Sequence, residues 1–189
     1  MVLESHRMAD TIDDLLELSR IEFDAPLRQN NIDLEDLIKE AIERNSHTAS
    51  QSNVTLKSEV GEGTFVVTGD RIQLLSAVSN LVDNAVKYSE SGDTVTVALS
   101  RTESNVVVDV TDEGIGIPPD DLDRIFERFY RVDKARGRGT GGTGLGLSIV
   151  RHIMSNHGGQ VNVTSQEGEG STFSLILPVV VGDNQKNSI

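Results

Sequence analysis

The 189-residue chain contains no cysteine and no tryptophan, and its aromatic residues are five Phe and two Tyr. Without cysteine it can form neither a disulfide nor a thiolate zinc site, and it has no cysteine nucleophile. Long apolar runs are also missing, because no stretch approaches the roughly 18 residues that span a bilayer. No secretory signal opens the chain. These absences suit a reducing, cytoplasmic setting, and the length suits one domain with a short appendage.

Positive charge is scarce as well. The chain has 17 Lys and Arg against 30 Asp and Glu, a formal net charge of −13. This balance argues against nucleic acid as a partner. It also disfavours an anionic ligand such as a nucleotide, unless nearby cations or a bound metal offset it. At physiological ionic strength charges more than about 8 Å apart are largely screened, so the local charges decide.

Apolar residues at helical or alternating spacing predict the elements. Helices are expected over residues 1–23, 34–46, 71–89, 119–126 and 144–156. Asp33 and Asp70 are suited to cap two of them. Strands are expected over residues 54–60, 65–68, 95–99, 106–110, 161–164 and 172–177. Such a mixture predicts an α+β fold: a two-layer α/β sandwich whose mixed, mostly antiparallel sheet is covered by three helices on one face, preceded by one further helix.

Four short motifs lie between residues 80 and 146, with the sequences NLVDNA (80–85), DEGIG (112–116), FERF (126–129) and GGTGLG (141–146). In the first motif Asn80 and Asn84 are one helical turn apart, opposite the apolar side of their helix. Their amide oxygens suit Mg²⁺, which also bridges to phosphates. Lys87 could reach a phosphate as a point charge. The alternative is an ordinary solvated helix face.

The second and fourth motifs suit the two ends of a nucleotide. Asp112 ends a strand on the same face as its buried valines, where a carboxylate needs a hydrogen-bond donor such as an adenine amine. A strand-end Asp in a plain turn is the alternative. The glycines over 141–146 open a helix whose first N–H groups could bind phosphate. No strand immediately precedes them and no Gly-Lys-Ser/Thr follows, which excludes a dinucleotide fingerprint and a P-loop.

In this order and spacing the motifs resemble the nucleotide-binding boxes of the sensor histidine kinases. These kinases belong to the ATPase superfamily that also holds DNA gyrase, the Hsp90 chaperones and MutL. The resemblance extends from the first helix to about Pro178. It implies a Bergerat-type ATP-binding fold with a catalytic domain over residues 33–180. Residues 1–25 would be the second helix of a dimerisation and phosphoacceptor hairpin, 26–32 a linker and 181–189 a disordered tail.

The resemblance implies ATP and Mg²⁺ as cofactors. Asn84 would be the metal ligand with Asn80 beside it, and Asn80 and Lys87 would serve catalysis. Asp112 would contact adenine, supported by the hydroxyl of Thr172, for which an ordinary strand threonine is the alternative. The complete set of implied nucleotide-binding residues is Asn80, Asn84, Lys87, Tyr88, Asp112, Gly114, Gly116, Ile117, Arg131, Gly142, Thr143, Gly144, Leu145, Gly146 and Thr172.

The implied reaction moves the γ-phosphoryl of ATP to a histidine of the hairpin, and from there to an aspartate of a response regulator receiver domain. Asn80 stands where the hydrolysing relatives carry Glu, and an amide cannot act as a base towards water. The helix with the phosphoacceptor histidine is absent from this sequence, and His6 lacks its expected neighbours. The full-length protein would be a membrane-anchored homodimer, and this fragment monomeric or weakly dimeric.

Two other functions remain open. A serine kinase of the anti-sigma type would share the ATP site but lack a helix such as residues 1–23. A nucleotide-gated interaction module would bind ATP without transfer. The glycine-rich segment 130–143 is expected to form a mobile loop in which some of Arg131, Lys134, Arg136 and Arg138 contact phosphate. His157 is expected to interact with the end of the last helix, and no histidine metal site is expected.

Overall fold

A computed structural model describes residues 11–12, 14–21, 28–132 and 142–179. The predictions for residues 1–10, for most of the basic segment, namely 133–141, and for the tail lie outside these ranges. Among the residues described, no helix is both long enough and apolar enough to cross a membrane.

Along the described part of the chain, helices separate single strands or pairs of strands. The helices are α1 (Leu34–Gln51), α2 (Arg71–Tyr88) and α3 (Gly146–Asn156), with a short 3-10 helix over Pro119–Asp121. Residues 14–21 are also helical. The strands are β1 (Asn30–Asp33), β2 (Thr55–Val60), β3 (Val66–Gly69), β4 (Thr94–Arg101), β5 (Asn105–Asp112), β6 (Gln160–Gln166) and β7 (Gly170–Pro178).

Five strands form the main sheet in the order β2-β4-β5-β7-β6. β2 and β4 are parallel, and the other pairs are antiparallel. β3 instead pairs antiparallel with β1, a strand that is not expected from the sequence pattern. The predicted α+β fold with a mixed, mostly antiparallel sheet packed against helices is confirmed.

The core lies between the main sheet and the helices. Alternate residues of β4 and β5 point into it, and each is at most 1% exposed: Val95, Val97, Leu99, Val106, Val108 and Val110. The apolar side of α2 packs on β4 and β5, and α3 packs on β6 and β7. Burying one such side chain is worth roughly 1.5–3 kcal/mol. The layer therefore fixes α2 against β5, at whose end the site lies, and α3 packs beside α2.

Two predicted helix boundaries differ from the structure for local reasons. α1 continues five residues beyond the expected end at Ser46. The side chains of Asn45 and Ser50 bond back to carbonyls one turn earlier, so these polar residues are accommodated within the helix. α3 begins at Gly146 and not at Gly144, because Gly144 has a φ of +75° and cannot be helical.

The short helix predicted over residues 119–126 is also shortened. It is a 3-10 turn over Pro119–Asp121 followed by irregular turns. The segment still buries Ile125 and Phe126 against the core, so it closes one side of the fold without a regular helix.

The helical segment over residues 14–21 lies against α3. Its Leu18 and Ile21 are buried, and Asn156 Nδ2 of α3 donates to the carbonyl oxygen of Ile21 at 3.2 Å. Ile12, Leu15 and Leu16 are between 43% and 54% exposed. The segment thus packs on the globular part through one of its two apolar faces.

His157 links α2 and α3. As expected, it interacts with the end of α3, with Nδ1 2.7 Å from the carbonyl oxygen of Ile153. Its Nε2 also accepts the backbone N–H of Asp70 at 2.9 Å, a contact not anticipated from sequence. Asp70 caps α2 by accepting from the backbone of Ile72. The imidazole therefore joins the end of α3 to the start of α2.

His157→Ala should lower the free energy of unfolding by about 1–3 kcal/mol, because it leaves a backbone donor and an acceptor without their partner. Urea denaturation followed by circular dichroism measures the loss. His152→Ala, on the same helix but partly exposed, is the control and should cost less. Equal losses in the two variants would contradict the linking role.

Candidate functional site

A cleft of about 410 Å³ lies between α2, the turn that follows β5 and the start of α3. Ile115, Ile125, Leu147 and Phe173 give it apolar walls. Of the residues predicted for the site, those that line the cleft are Asn80, Asn84, Lys87, Tyr88, Asp112, Gly116, Ile117, Arg131, Gly142, Thr143, Gly144 and Gly146.

Asp112 is the buried carboxylate of the cleft, with 6% of its surface exposed. Its Oδ1 accepts the N–H of Gly114 at 3.0 Å, and the N–H of Ser171 also donates to the carboxylate. Burial raises the pKa of Asp112 above its ordinary value, and these two donors offset only part of that effect. A further donor from a ligand would favour the charged form.

The turn after β5 is held from both sides. The N–H of Ile115 donates to the carbonyl of Tyr88 at the end of α2, and that of Ile117 donates to Ser165 Oγ of β6 at 2.8 Å. Gly116 has a φ of +66°, and a Cβ there would lie 2.1 Å from a carbonyl oxygen of β6. Only glycine fits this close approach. The turn is thereby fixed as one wall of the cleft.

The polar face of α2 forms another wall. Asn80 Nδ2 donates to the carbonyl of Ser76 at 3.0 Å, which leaves its Oδ1 for other partners. A Cβ on Gly146 would lie 2.9 Å from that oxygen and 3.9 Å from Asn84 Nδ2. Both asparagines therefore face the first turn of α3. Glycine at position 146 allows this approach, which brings Asn80 Oδ1 and the side-chain amide of Asn84 to the α3 N-terminus.

Two predicted site residues act through the backbone or lie behind the cleft wall. Gly114 packs under the turn, where a Cβ would lie 2.2 Å from the carbonyl oxygen of Tyr88. Its contribution is the N–H bond to Asp112. The side chain of Leu145 is fully buried in the core, and its N–H donates to Thr143 Oγ1 at 3.1 Å. This bond uses an N–H that was expected to face a ligand.

The expected role of Thr172 is corrected by the strand register. Thr172 lies opposite Thr111, and their hydroxyl oxygens are 3.0 Å apart on the face of the sheet away from Asp112. Ser171 pairs with Asp112 and lines the cleft. Because side chains alternate along a strand, a shift of one residue exchanges the two faces. Ser171 is therefore the residue beside the carboxylate.

Sequence reasoning also missed residues that reach the cleft from elsewhere. Asp83 lines it and pairs with Lys87, the Nζ–Oδ2 distance being 2.5 Å. The spacing of four residues could have indicated this pair. Asp14 lines the cleft from the helical segment over residues 14–21. It is far from the four motifs in sequence, and no local pattern indicates that contact.

The charges around the cleft are mixed. Asp14, Asp83 and Asp112 contribute carboxylates, and Lys87 and Arg131 contribute cations. Within the ranges the structure describes, no cluster of three His, Cys, Asp or Glu residues could hold a metal ion. A metal would thus depend on the Asn80 and Asn84 oxygens, water and the ligand. That donor set, with waters retained, fits Mg²⁺ bridging to phosphates.

Comparisons with known proteins agree with this geometry. Residues 69–181 match the family model described as histidine kinase-, DNA gyrase B- and HSP90-like ATPase. The chain is 45% identical to the sensor-like histidine kinase SenX3 of Mycolicibacterium smegmatis, over 94% of this chain and 46% of that protein. It is 38% identical to the sensor histidine kinase WalK of Bacillus subtilis, over 93% of this chain and 29% of that protein. The chain thus spans less than half the length of these relatives.

Solved structures give the same result. The mycobacterial sensor histidine kinase MprB superposes with a TM-score of 0.69 at 31% identity, over 79% of this chain and 97% of that one. Full-length ShkA in complex with AMPPNP gives 0.79 at 29% identity, over 93% of this chain and 36% of that one. Together with the family match over more than half of its length, this shows that the chain belongs to the histidine kinase-, DNA gyrase B- and HSP90-like ATPases.

Proposed function

We propose that the chain is the ATP-binding catalytic part of a two-component sensor histidine kinase. It transfers the γ-phosphoryl of Mg²⁺-ATP to a histidine of a dimerisation hairpin. The observation that carries this proposal is the cleft itself. A buried Asp112 lies in it together with the asparagines of α2 and the glycine-flanked start of α3. Asp112 suits adenine, the asparagines suit a metal ion, and the start of α3 suits phosphate.

The adenine base suits the side of the cleft with Asp112. The carboxylate accepts a hydrogen bond from the exocyclic amine of adenine. Ile117, Leu147 and Phe173 provide apolar surface for the ring. A buried acceptor rejects a base that cannot donate to it, because its own desolvation is then uncompensated. Adenine is therefore favoured over guanine, which presents a carbonyl at the corresponding position.

The triphosphate suits the side formed by α2 and α3. The first turn of α3 offers N–H groups and a positive dipole end to an anion. Asn80 and Asn84 would hold Mg²⁺ through their amide oxygens, and the ion would supply positive charge to the phosphates. Lys87 reaches a phosphate when it exchanges its partner Asp83 for the ligand.

The residues of the site favour transfer to another protein group over hydrolysis. Asn80 is an amide fixed by its bond to Ser76, and an amide does not remove a proton from water. Phosphoryl transfer depends mainly on positioning and charge stabilisation, so the site needs no base of its own. The nucleophile is the imidazole of the acceptor, which attacks the γ-phosphorus as ADP leaves.

The rest of the organisation follows from the same proposal. Residues 1–25 are the second helix of the hairpin, 26–32 the linker and 33–180 the catalytic domain. The full-length protein is a homodimer anchored in the membrane, and it passes the phosphoryl group to an aspartate of a response regulator receiver domain. Relatives of more than twice the length and named as sensor kinases support this assignment.

Asp112→Asn should weaken ADP binding by about tenfold or more. A hydrogen bond to a charged acceptor is worth about 1.5–3 kcal/mol, and 1.4 kcal/mol corresponds to tenfold. Isothermal titration calorimetry measures the change. Asp109→Asn is the matched control, because Asp109 lies on the same strand but accepts from Ser174 on the opposite face. Equal ADP affinity in wild type and Asp112→Asn would contradict the proposal that Asp112 binds adenine.

The same variant should be more stable than wild type at pH 7 without nucleotide. The pKa of Asp112 is raised in the folded state, so the folded protein holds that proton more tightly than the unfolded chain does. Protonated Asp112 therefore contributes to the stability of the folded state. This contribution is fully present below the pKa of the unfolded chain, about 3.9, and is lost as the pH rises through the pKa of the folded state. The amide never ionises and avoids this loss.

Thermal unfolding of both proteins between pH 4 and pH 7 tests the difference. The Tm of Asp112→Asn should exceed that of wild type at pH 7, and the gap should narrow towards pH 4. If the difference in Tm between the two proteins is constant with pH, or if the variant is less stable at pH 7, then burying the charge of Asp112 does not cost stability.

A supplied hairpin with the phosphoacceptor helix should become labelled when the chain is incubated with radiolabelled ATP and Mg²⁺. The label should be stable to alkali and lost in acid, as expected for phosphohistidine. Omission of Mg²⁺ or Asn84→Ala should reduce the rate at least tenfold, since each removes the proposed metal site. Acid-stable label on serine would favour the anti-sigma type of kinase. ATP binding without any transfer would favour the nucleotide-gated module.

A further inference from the structure

The helical segment over residues 14–21 places a carboxylate in the proposed phosphate end of the cleft. Asp14 accepts a hydrogen bond from the hydroxyl of Thr143, and the same hydroxyl oxygen accepts the N–H of Leu145. Thr143 lies three residues before the first residue of α3. Asp14 therefore meets the turn whose N–H groups and dipole suit an anionic ligand.

A second carboxylate of the same segment meets the opposite wall. Glu17 accepts from the hydroxyl of Ser76 on α2, and Ser76 in turn accepts the side-chain amide of Asn80. Both contacts depend on one docked position, which Leu18 and Ile21 stabilise by burial against the globular part. The segment thus contacts the phosphate-binding turn and the helix of the asparagines together.

Charge determines what this arrangement does to different nucleotides. Two anions a few ångströms apart repel strongly where bulk water is partly excluded. Adenosine carries no charge, ADP carries two phosphates, and ATP adds a third at the end nearest the acceptor. The repulsion from Asp14 should rise in that order, whereas the contacts at Asp112 stay the same for all three.

This inference rests on the proposed function. We propose that Asp14 is a nucleotide-specificity residue: docked on Thr143, it selects against the triphosphate relative to adenosine, so that ATP engages fully only when the segment over residues 14–21 moves away from the cleft. The contact couples the position of the preceding helix to the nucleotide that the site holds.

Asp14→Asn in the full chain tests the proposal, because it removes the charge and keeps the size. The affinities for adenosine, ADP and AMPPNP are measured by calorimetry with Mg²⁺ present. AMPPNP should bind about tenfold more tightly than to wild type, ADP should gain less, and adenosine should not change. Asp36→Asn is the matched control, since it removes the same charge from an exposed position on α1 away from the cleft. It should match wild type for all three ligands.

Hydrogen exchange gives a readout that a purely structural role would not change. In wild type, AMPPNP should accelerate amide exchange across residues 14–21, and adenosine should leave it unchanged. Equal or weaker AMPPNP binding in Asp14→Asn relative to Asp36→Asn would overturn the inference, as would slower exchange of the segment with AMPPNP. If adenosine and ADP bind normally in that case, the proposed function stands. If neither binds to wild type, the proposed function fails and the inference with it.

Discussion

The buried carboxylate of Asp112 is the constraint around which the cleft is built. Desolvation disfavours its charge, and among the described residues the N–H groups of Gly114 and Ser171 offset part of that effect. The surrounding backbone keeps both donors in place: the turn that carries Gly114 is tied to α2 through Tyr88 and to β6 through Ser165, and Ser171 pairs with Asp112 across β5 and β7. The protein thus maintains a costly acceptor whose remaining capacity a ligand can satisfy. Such a pattern is typical of a binding site.

The end of the cleft opposite Asp112, where phosphate is proposed to bind, depends on the close approach of α2 and α3 and not on a buried charge. Glycine at position 146 lets the first turn of α3 come against Asn80 and Asn84, while His157 fixes the other end of α3 to the start of α2. The helix dipole, the side-chain amides of the two asparagines and the cation Lys87 then converge on this part of the cleft. Local geometry thereby offsets a net charge of −13 where an anion is to bind.

The sequence allowed prediction of the elements with strong periodicity and of most cleft residues. The alternating valines of β4 and β5 and the caps at Asp33 and Asp70 depend on local rules, and they occur as expected. Features set by long-range pairing were missed. β1 has only four residues, the face of Ser171 depends on strand register, and the contact of Asp14 depends on how a separate helical segment docks. No local pattern encodes these three.

The most direct test of the central claim is a crystal structure of this chain with Mg²⁺ and AMPPNP. The account predicts the exocyclic amine of adenine within about 2.7–3.2 Å of a carboxylate oxygen of Asp112, with the phosphates at the first turn of α3. A nucleotide bound elsewhere, or an adenine that leaves Asp112 without this contact, would contradict it.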